Sequence, residues 1–170
     1  MLFLILLVVT LTFKKWKKIF LLIGFLSISY FVGITLIFYG NLNFKLDVIK
    51  FIIPVIIFSL AITNILYSVN TFKFRDSINY IFVILFGFFN GLGTSTDLSL
   101  LFSRNEIEIL QILEVVFGFG TAISIIVFLM LILKLLFQKI VPLIKVKWVV
   151  GYSIIVIFIS LPMIFKQLFH

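Results

Sequence analysis

The chain has 170 residues, of which 64% are hydrophobic and only 12% are charged, and it contains no cysteine. A soluble domain carries roughly 45–50% apolar and about 25% charged residues, so a water-soluble fold is excluded and lipid must be the solvent. The net charge of +8 lies in short basic clusters beside apolar runs. This distribution is typical of membrane topology signals and does not form a nucleic-acid-binding face.

Six apolar runs follow one another along the chain. They cover residues 1–13, 19–39, 51–69, 80–102, 109–137 and 148–165. The last five have the roughly 20 residues that a helix needs to cross about 30 Å of hydrocarbon, whereas the first would rise only about 20 Å. Continuous runs of this length are not the alternating pattern of a β-barrel. The sequence therefore predicts an all-α, polytopic bundle of about six spans with a short first span, forming one membrane domain over residues 1–170.

The basic residues are divided unequally between the two sides of this bundle. The connections after the first, third and fifth runs, with their flanking turns, hold ten of the fourteen Lys and Arg residues. Cytoplasmic loops of membrane proteins carry such an excess of basic residues. The charge distribution therefore predicts a multi-pass protein with both termini outside.

Glu114 is the sharpest candidate for a functional group inside an apolar run. It lies near the start of the fifth run, so helical rise places its carboxylate about 6–9 Å below the outer interface. One interpretation is a carboxylate that binds a cation or handles protons. The other is a glutamic acid that reaches toward water or only bonds a neighbouring helix.

Two runs carry polar and small residues at helical spacing, so that each set shares one helix face. The fourth run has Asn90, Thr94 and Asp97, with Gly91 and Gly93 beside them, and the fifth run has Glu114, Gly118 and Thr121. Two such faces can pack backbone to backbone and join their polar groups. The alternative is that the glycines serve packing alone and that Asp97 reaches outer-side water.

The remaining polar residues within the runs point to structure more than to chemistry. Asn64, in the third run, is expected to form an interhelical hydrogen bond, and Tyr30, in the second, either points inward or packs. The only histidine is His170, at the end of the chain, and no nucleophile–base pair or phosphate-binding loop is present. We therefore expect no enzyme, no catalytic residue and no bound cofactor.

Several motifs resemble those of one family. The stretch Phe86–Gly93, which reads FGFFNGLG, resembles FGLIHGLG in the HupE/UreJ family of small polytopic bacterial membrane proteins, which are associated with nickel or cobalt transport. Asn64, ten residues after Pro54, and Glu114 followed by Gly118 are similar to the family's third and fifth spans. The resemblance covers essentially the whole chain, and it implies a helical bundle in the bacterial inner membrane.

The departures from the family pattern fall on its metal ligands. Tyr30 and Asn90 stand where the family has histidines, and Gly120 and Ile123 stand where it has a glutamate and a glutamine. The family's His/Asp cluster lies upstream, and this chain begins after it. Nickel and cobalt favour imidazole and carboxylate donors, which a phenol and an amide replace poorly.

Four functions compete on this evidence. The first is a permease that moves nickel, cobalt or another small cation through an oxygen-rich site of Glu114, Asn90 and Asp97. The second is a non-transporting membrane scaffold or accessory subunit, with other membrane subunits or further copies of itself as partners. A truncated product without activity comes third and an enzyme last. Inward clustering of Glu114 with Asn90 would indicate transport, whereas outward polar positions on a span would indicate a partner surface.

Overall fold

In a computed structural model, the described residues are 1–11, 16–40, 46–69, 75–101, 109–140 and 145–168. They form α1 (Leu2–Thr10), α2 (Trp16–Tyr39), α3 (Leu46–Val69), α4 (Arg75–Leu101), α5 (Ile109–Ile140) and α6 (Lys145–Leu168). The prediction of an all-α fold with a short first helix is confirmed. Five of these helices, α2 to α6, are long and apolar enough to cross a membrane. Most of the predicted basic connections, His170 and the side chain of Asp97 lie outside the described part of the chain.

Helix α2 lies between α4 and α5. It packs most extensively against α4 on one side and also packs against α5, while α3 packs against α6 and α4. Helices α4 and α5 are not among the pairs in extensive contact. This arrangement decides which of the polar groups named above can meet, because α2 separates the fourth helix from the fifth.

Helix α1 is too short to span a bilayer, and it is buried against the longer helices. Its nine residues contact α3, α5 and α6, and the side chains of Phe3 and Leu6 have no exposed surface. The Phe3 ring also stacks on Phe86 of α4, with 4.0 Å between ring centroids. Burial of these apolar side chains is therefore the main contribution of α1 to the core.

Two polar side chains from longer helices fix α1 in place. Asn64 of α3, which is 2% exposed, donates a hydrogen bond from Nδ2 to the Leu6 carbonyl at 3.2 Å, so the predicted interhelical bond is confirmed. The Lys134 ammonium of α5 donates to the carbonyls of Val8 at 3.2 Å, Val9 at 2.8 Å and Leu11 at 2.6 Å. The last carbonyls of a helix have no intrahelical partner, and a cation is favoured beside them. Lys134 thus satisfies the carboxyl end of α1.

Candidate functional site

The glycines of α4 pack against α2. A Cβ added to Gly91 would overlap the Tyr30 carbonyl, and one added to Gly87 would lie 2.6 Å from the Leu26 carbonyl. Gly33 of α2 faces the same contact, where an added Cβ would lie 3.0 Å from the backbone nitrogen of Leu92. Glycines allow helix backbones to approach closely in membranes. This glycine face of α4 packs against α2 and not against the glycine face of the fifth run.

Tyr30 joins this contact to α5. Its ring is 3% exposed and stacks on Phe119 of α5, with 3.8 Å between centroids and an interplanar angle of 9°. Thr94 of α4 lies next to the Tyr30 side chain, and the Thr94 hydroxyl donates to the Asn90 carbonyl at 3.0 Å. Tyr30 therefore points into the bundle and packs there between α4 and α5.

The two positions at which the family resemblance implies histidines thus lie on facing helices. Thr94 lies next to Tyr30 and bonds the backbone carbonyl of Asn90 in its own helix. The two positions themselves hold neutral groups, a phenol and an amide. The hydroxyls of Ser95 and Thr96 donate to carbonyls of their own helix, and a Cβ on Gly93 would meet only a methyl group of Ile49 at 3.5 Å. These contacts join and pack helices, and the described side chains among them carry no charge that would bind a cation.

Glu114 lies on the opposite side of α5 from α2. The buried and half-buried residues Ile112, Val116 and Phe119 pack toward Tyr30 and Ile34 of α2. At 100° per residue, Glu114 points away from that set, and it is exposed. Since α2 lies between α4 and α5, Glu114 and Asn90 do not come together. Within the described part of the chain, no three or more His, Cys, Asp or Glu side chains form a group that could hold a metal ion.

The exposed surface around Glu114 forms what we call the outer face of α5. It consists of Gln111, Glu114, Gly118, Thr121, Ala122 and Ile125, all exposed. A Cβ added to Gly118 would meet nothing within 4 Å, and the Thr121 hydroxyl donates to the Gly118 carbonyl at 2.9 Å. Only 17% of the α5 span is buried, against 44% of the α2 span. Helix α5 is therefore the span with the most surface open to lipid or to another protein.

The charges on α5 set its depth in the bilayer. Twenty residues separate Glu114 from Lys134, which is about 30 Å along a helix and equals the thickness of the hydrocarbon layer. Glu114 and Lys134 are therefore far enough apart for each to lie near one edge of that layer. Gly118 and Ala122 lie one to two turns below Glu114, inside the hydrocarbon.

Sequence reasoning counted Lys134 only as a topology signal and missed its contact with α1. The sequence did indicate that Lys134 has a partner within the protein, because it is the only charged residue besides Glu114 within the fifth apolar run. A charge inside a span usually has a partner within the protein. The sequence could not name that partner, since the carbonyls that Lys134 binds lie more than 120 residues earlier in the chain.

Comparisons with protein-family models, with curated proteins and with solved structures give no match to this chain. The resemblance to the HupE/UreJ family therefore rests on the motifs quoted above. The function has to be argued from the positions of Glu114, Tyr30 and Asn90 in the bundle.

Proposed function

We propose that this chain is a non-transporting membrane scaffold subunit that binds a second copy of itself through the outer face of α5. The observation that carries this proposal is the position of Glu114, which points outward and is separated from Asn90 by α2. A transport site built on both residues would need them on one inward surface. An outward polar position on a span favours a partner surface instead.

The polar side chains inside the bundle support the same proposal. Asn64 and Lys134 bond backbone carbonyls of α1, and the buried Tyr30 ring of α2 stacks on Phe119 of α5. Each of these groups is engaged in holding helices together. In a membrane, such hydrogen bonds and close packing are what hold helices to one another, because lipid is as apolar as their side chains.

A second copy of the chain offers the outer face of α5 both a closely packing helix and a hydrogen-bond partner for Glu114. All copies insert with the same orientation, so two α5 helices related by a two-fold axis run parallel at the same depth. Gly118 and Ala122 allow close approach of the two backbones. One turn above them, the Gln111 amide of one copy can donate a hydrogen bond to the Glu114 carboxylate of the other. Both the packing and the polar requirement are then met by one surface.

The family resemblance and the basic residues indicate in which membrane this assembly lies and how it is oriented. We place the subunit in the bacterial inner membrane with its carboxyl terminus outside, on the basis of the motif similarity and the unequal Lys and Arg distribution. The amino terminus is not placed outside with it, because α1 is too short to span and only five of the described helices can cross. On a HupE/UreJ-like scaffold, replacement of two histidines by Tyr30 and Asn90 removes imidazole donors that nickel and cobalt favour. This substitution pattern supports a scaffold in which the transport role has been lost.

Cysteine cross-linking tests the assembly directly, because the chain has no cysteine of its own. Gly118→Cys and Gly151→Cys form a matched pair, since both glycines are exposed in spans and an added Cβ meets nothing within 4 Å of either. In native membranes, a short bifunctional maleimide should link two copies of Gly118→Cys and leave Gly151→Cys monomeric. Equal yields, or no dimer from Gly118→Cys, would contradict the proposal. An adduct with a different protein would name that protein as the partner in place of the second copy.

Substitutions of Glu114 separate assembly from transport. Glu114→Gln keeps a hydrogen-bond donor and acceptor, so cross-linking through Gly118→Cys should persist. Glu114→Leu should weaken association about threefold to fivefold, the equivalent of the roughly 0.6–1 kcal/mol of an interhelical hydrogen bond in a membrane. In a host without its own transporters, nickel and cobalt uptake should equal that of an empty vector. Uptake that is lost in Glu114→Gln would instead establish a permease.

A further inference from the structure

A groove of about 290 Å³ lies beside the close contact between α2 and α4, and it is open to the surrounding lipid. Exposed apolar side chains of both helices form its walls, among them Phe25, Ile28, Val32, Ile84 and Leu85. The Ser29 hydroxyl also lines the groove, but it donates to the Phe25 and Leu26 carbonyls at 2.8 and 3.0 Å. The groove therefore suits a hydrocarbon chain, and the residues at its end decide what molecule can carry that chain.

An aromatic ring and an ammonium group lie at one end of the groove. The Phe25 ring in the wall contacts the Tyr80 ring edge to face, with 5.7 Å between centroids, and the Lys18 ammonium lies over the Tyr80 ring at 5.9 Å. Lys18 and Tyr80 belong to the first turns of the membrane-spanning segments of α2 and α4. This end of the groove therefore lies at the edge of the hydrocarbon layer, where the glycerol esters and phosphates of phospholipids are found.

Lys17 brings an accessible positive charge to the same end of the groove. It is exposed, and it precedes Ile28 by eleven residues, which is about three helical turns, so both share one face of α2. Among the described residues its ammonium contacts the Trp16 ring, 5.8 Å from the centroid, and forms no ion pair. The first turn of α2 has no acidic residue. An anion beside Lys17 would therefore meet a positive charge that no described carboxylate offsets.

We propose that this groove binds one glycerophospholipid with an anionic headgroup. An acyl chain would lie along Phe25, Ile28 and Ile84, and the phosphate would lie beside Lys17. A zwitterionic lipid would bring its own cation to the same place, which disfavours it relative to an anionic lipid. The bilayer supplies this ligand at high local concentration, and its amphipathic form matches an apolar groove with an exposed cation at its end.

Quenching of a tryptophan beside the groove by brominated lipid tests the proposal in the complete chain. Trp16 and Trp148 are the only tryptophans, so Trp16→Phe and Trp148→Phe remove the background, and Ile81→Trp places one reporter next to Tyr80 at an exposed position. This protein is placed in phosphatidylcholine vesicles that contain a minor share of lipid brominated near the ester end of its acyl chains. The brominated lipid is either phosphatidylglycerol or phosphatidylcholine, at equal amounts. Binding of phosphatidylglycerol should be stronger by about fivefold, which corresponds to the roughly 1 kcal/mol of attraction that one basic residue provides. Equal quenching by the two lipids would overturn the proposal.

Two pairs of substitutions show whether the preference arises in the groove. Lys17→Gln should lower the preference for phosphatidylglycerol about fivefold, whereas Lys166→Gln, at an exposed lysine near the far end of α6, should leave it unchanged. Val32→Phe fills the groove without removing Lys17 and should also abolish the preference, whereas Val48→Phe adds the same bulk at an exposed position of α3 outside the groove and should not. A preference that survives Lys17→Gln would show that Lys17 does not bind the headgroup. One that survives Val32→Phe would show that anionic lipid only gathers around the basic residues, and either result would overturn the proposal.

Discussion

Replacement of Lys134 by methionine is expected to release the carboxyl end of α1 from the bundle. Methionine keeps a long apolar side chain but removes the ammonium that donates to Val8, Val9 and Leu11 at 3.2, 2.8 and 2.6 Å. Three independent bonds to a charged donor would contribute about 5–9 kcal/mol, at roughly 1.5–3 kcal/mol each. The ammonium is partly desolvated in the folded state, and water at the membrane edge can rehydrate the freed carbonyls. We therefore expect a loss of about 2–4 kcal/mol in the free energy that holds this end of α1 closed.

The rate at which a cysteine in α1 reacts with a maleimide reports this opening. In a Val8→Cys background, where the closed state leaves only 2% of the native side chain exposed, Lys134→Met should accelerate labelling about 30-fold to 1,000-fold, the factor that corresponds to 2–4 kcal/mol. Lys50→Met is the matched control, because Lys50 is exposed at the start of α3. If Lys134→Met labels no faster than Lys50→Met, then the three carbonyl contacts do not hold α1 and the reasoning is refuted.

Three further predictions concern the bundle. Gly91→Ala should lower the free energy of unfolding by about 1–3 kcal/mol in a detergent titration, because its Cβ would overlap backbone atoms of α2. Gly151→Ala is the control and should leave the free energy of unfolding unchanged, because the space around Gly151 is open. Equal effects of the two substitutions would contradict the close contact between α2 and α4. Asn64→Leu should cost about 1 kcal/mol in the same titration through loss of its bond to α1, and an unchanged midpoint would refute that role. A topology reporter fused after Phe137 should be cytoplasmic and one after Leu168 external, and reversed signals would overturn the orientation.

The positions of the helices could be predicted from the sequence because each span is a continuous apolar run. The helices extend beyond those runs: α2 begins at Trp16 and α3 at Leu46, three and five residues before the predicted starts at 19 and 51. Hydropathy marks the hydrocarbon layer alone, whereas a helix continues through the interface, where residues such as Trp16 and Lys17 are favourable. The helices therefore begin before the apolar runs because they continue through the membrane interface.

The partners of the polar groups could not be predicted, because spacing along one helix does not say which other helix it faces. The glycine face that contains Gly91 was expected to be able to meet the fifth helix, and it meets Gly33 of α2 instead. With α2 in between, Glu114 is left on the outside. The burial of α1 was equally unpredictable, since a thirteen-residue run shows only that it is too short to span. Its place in the core depends on contacts with four distant helices.

Self-association through the outer face of α5 is tested most directly by measuring the dimer fraction of the full chain in liposomes as lipid dilutes it. Energy transfer between labelled copies would follow the equilibrium for the unmodified sequence, Gly118→Ile and Gly151→Ile. We expect the unmodified chain and Gly151→Ile to dimerise alike. Gly118→Ile should weaken association about tenfold or more, because a larger side chain in a close contact costs about 1–3 kcal/mol. Chains that stay monomeric at every dilution, or dimers that Gly118→Ile leaves intact, would contradict the account.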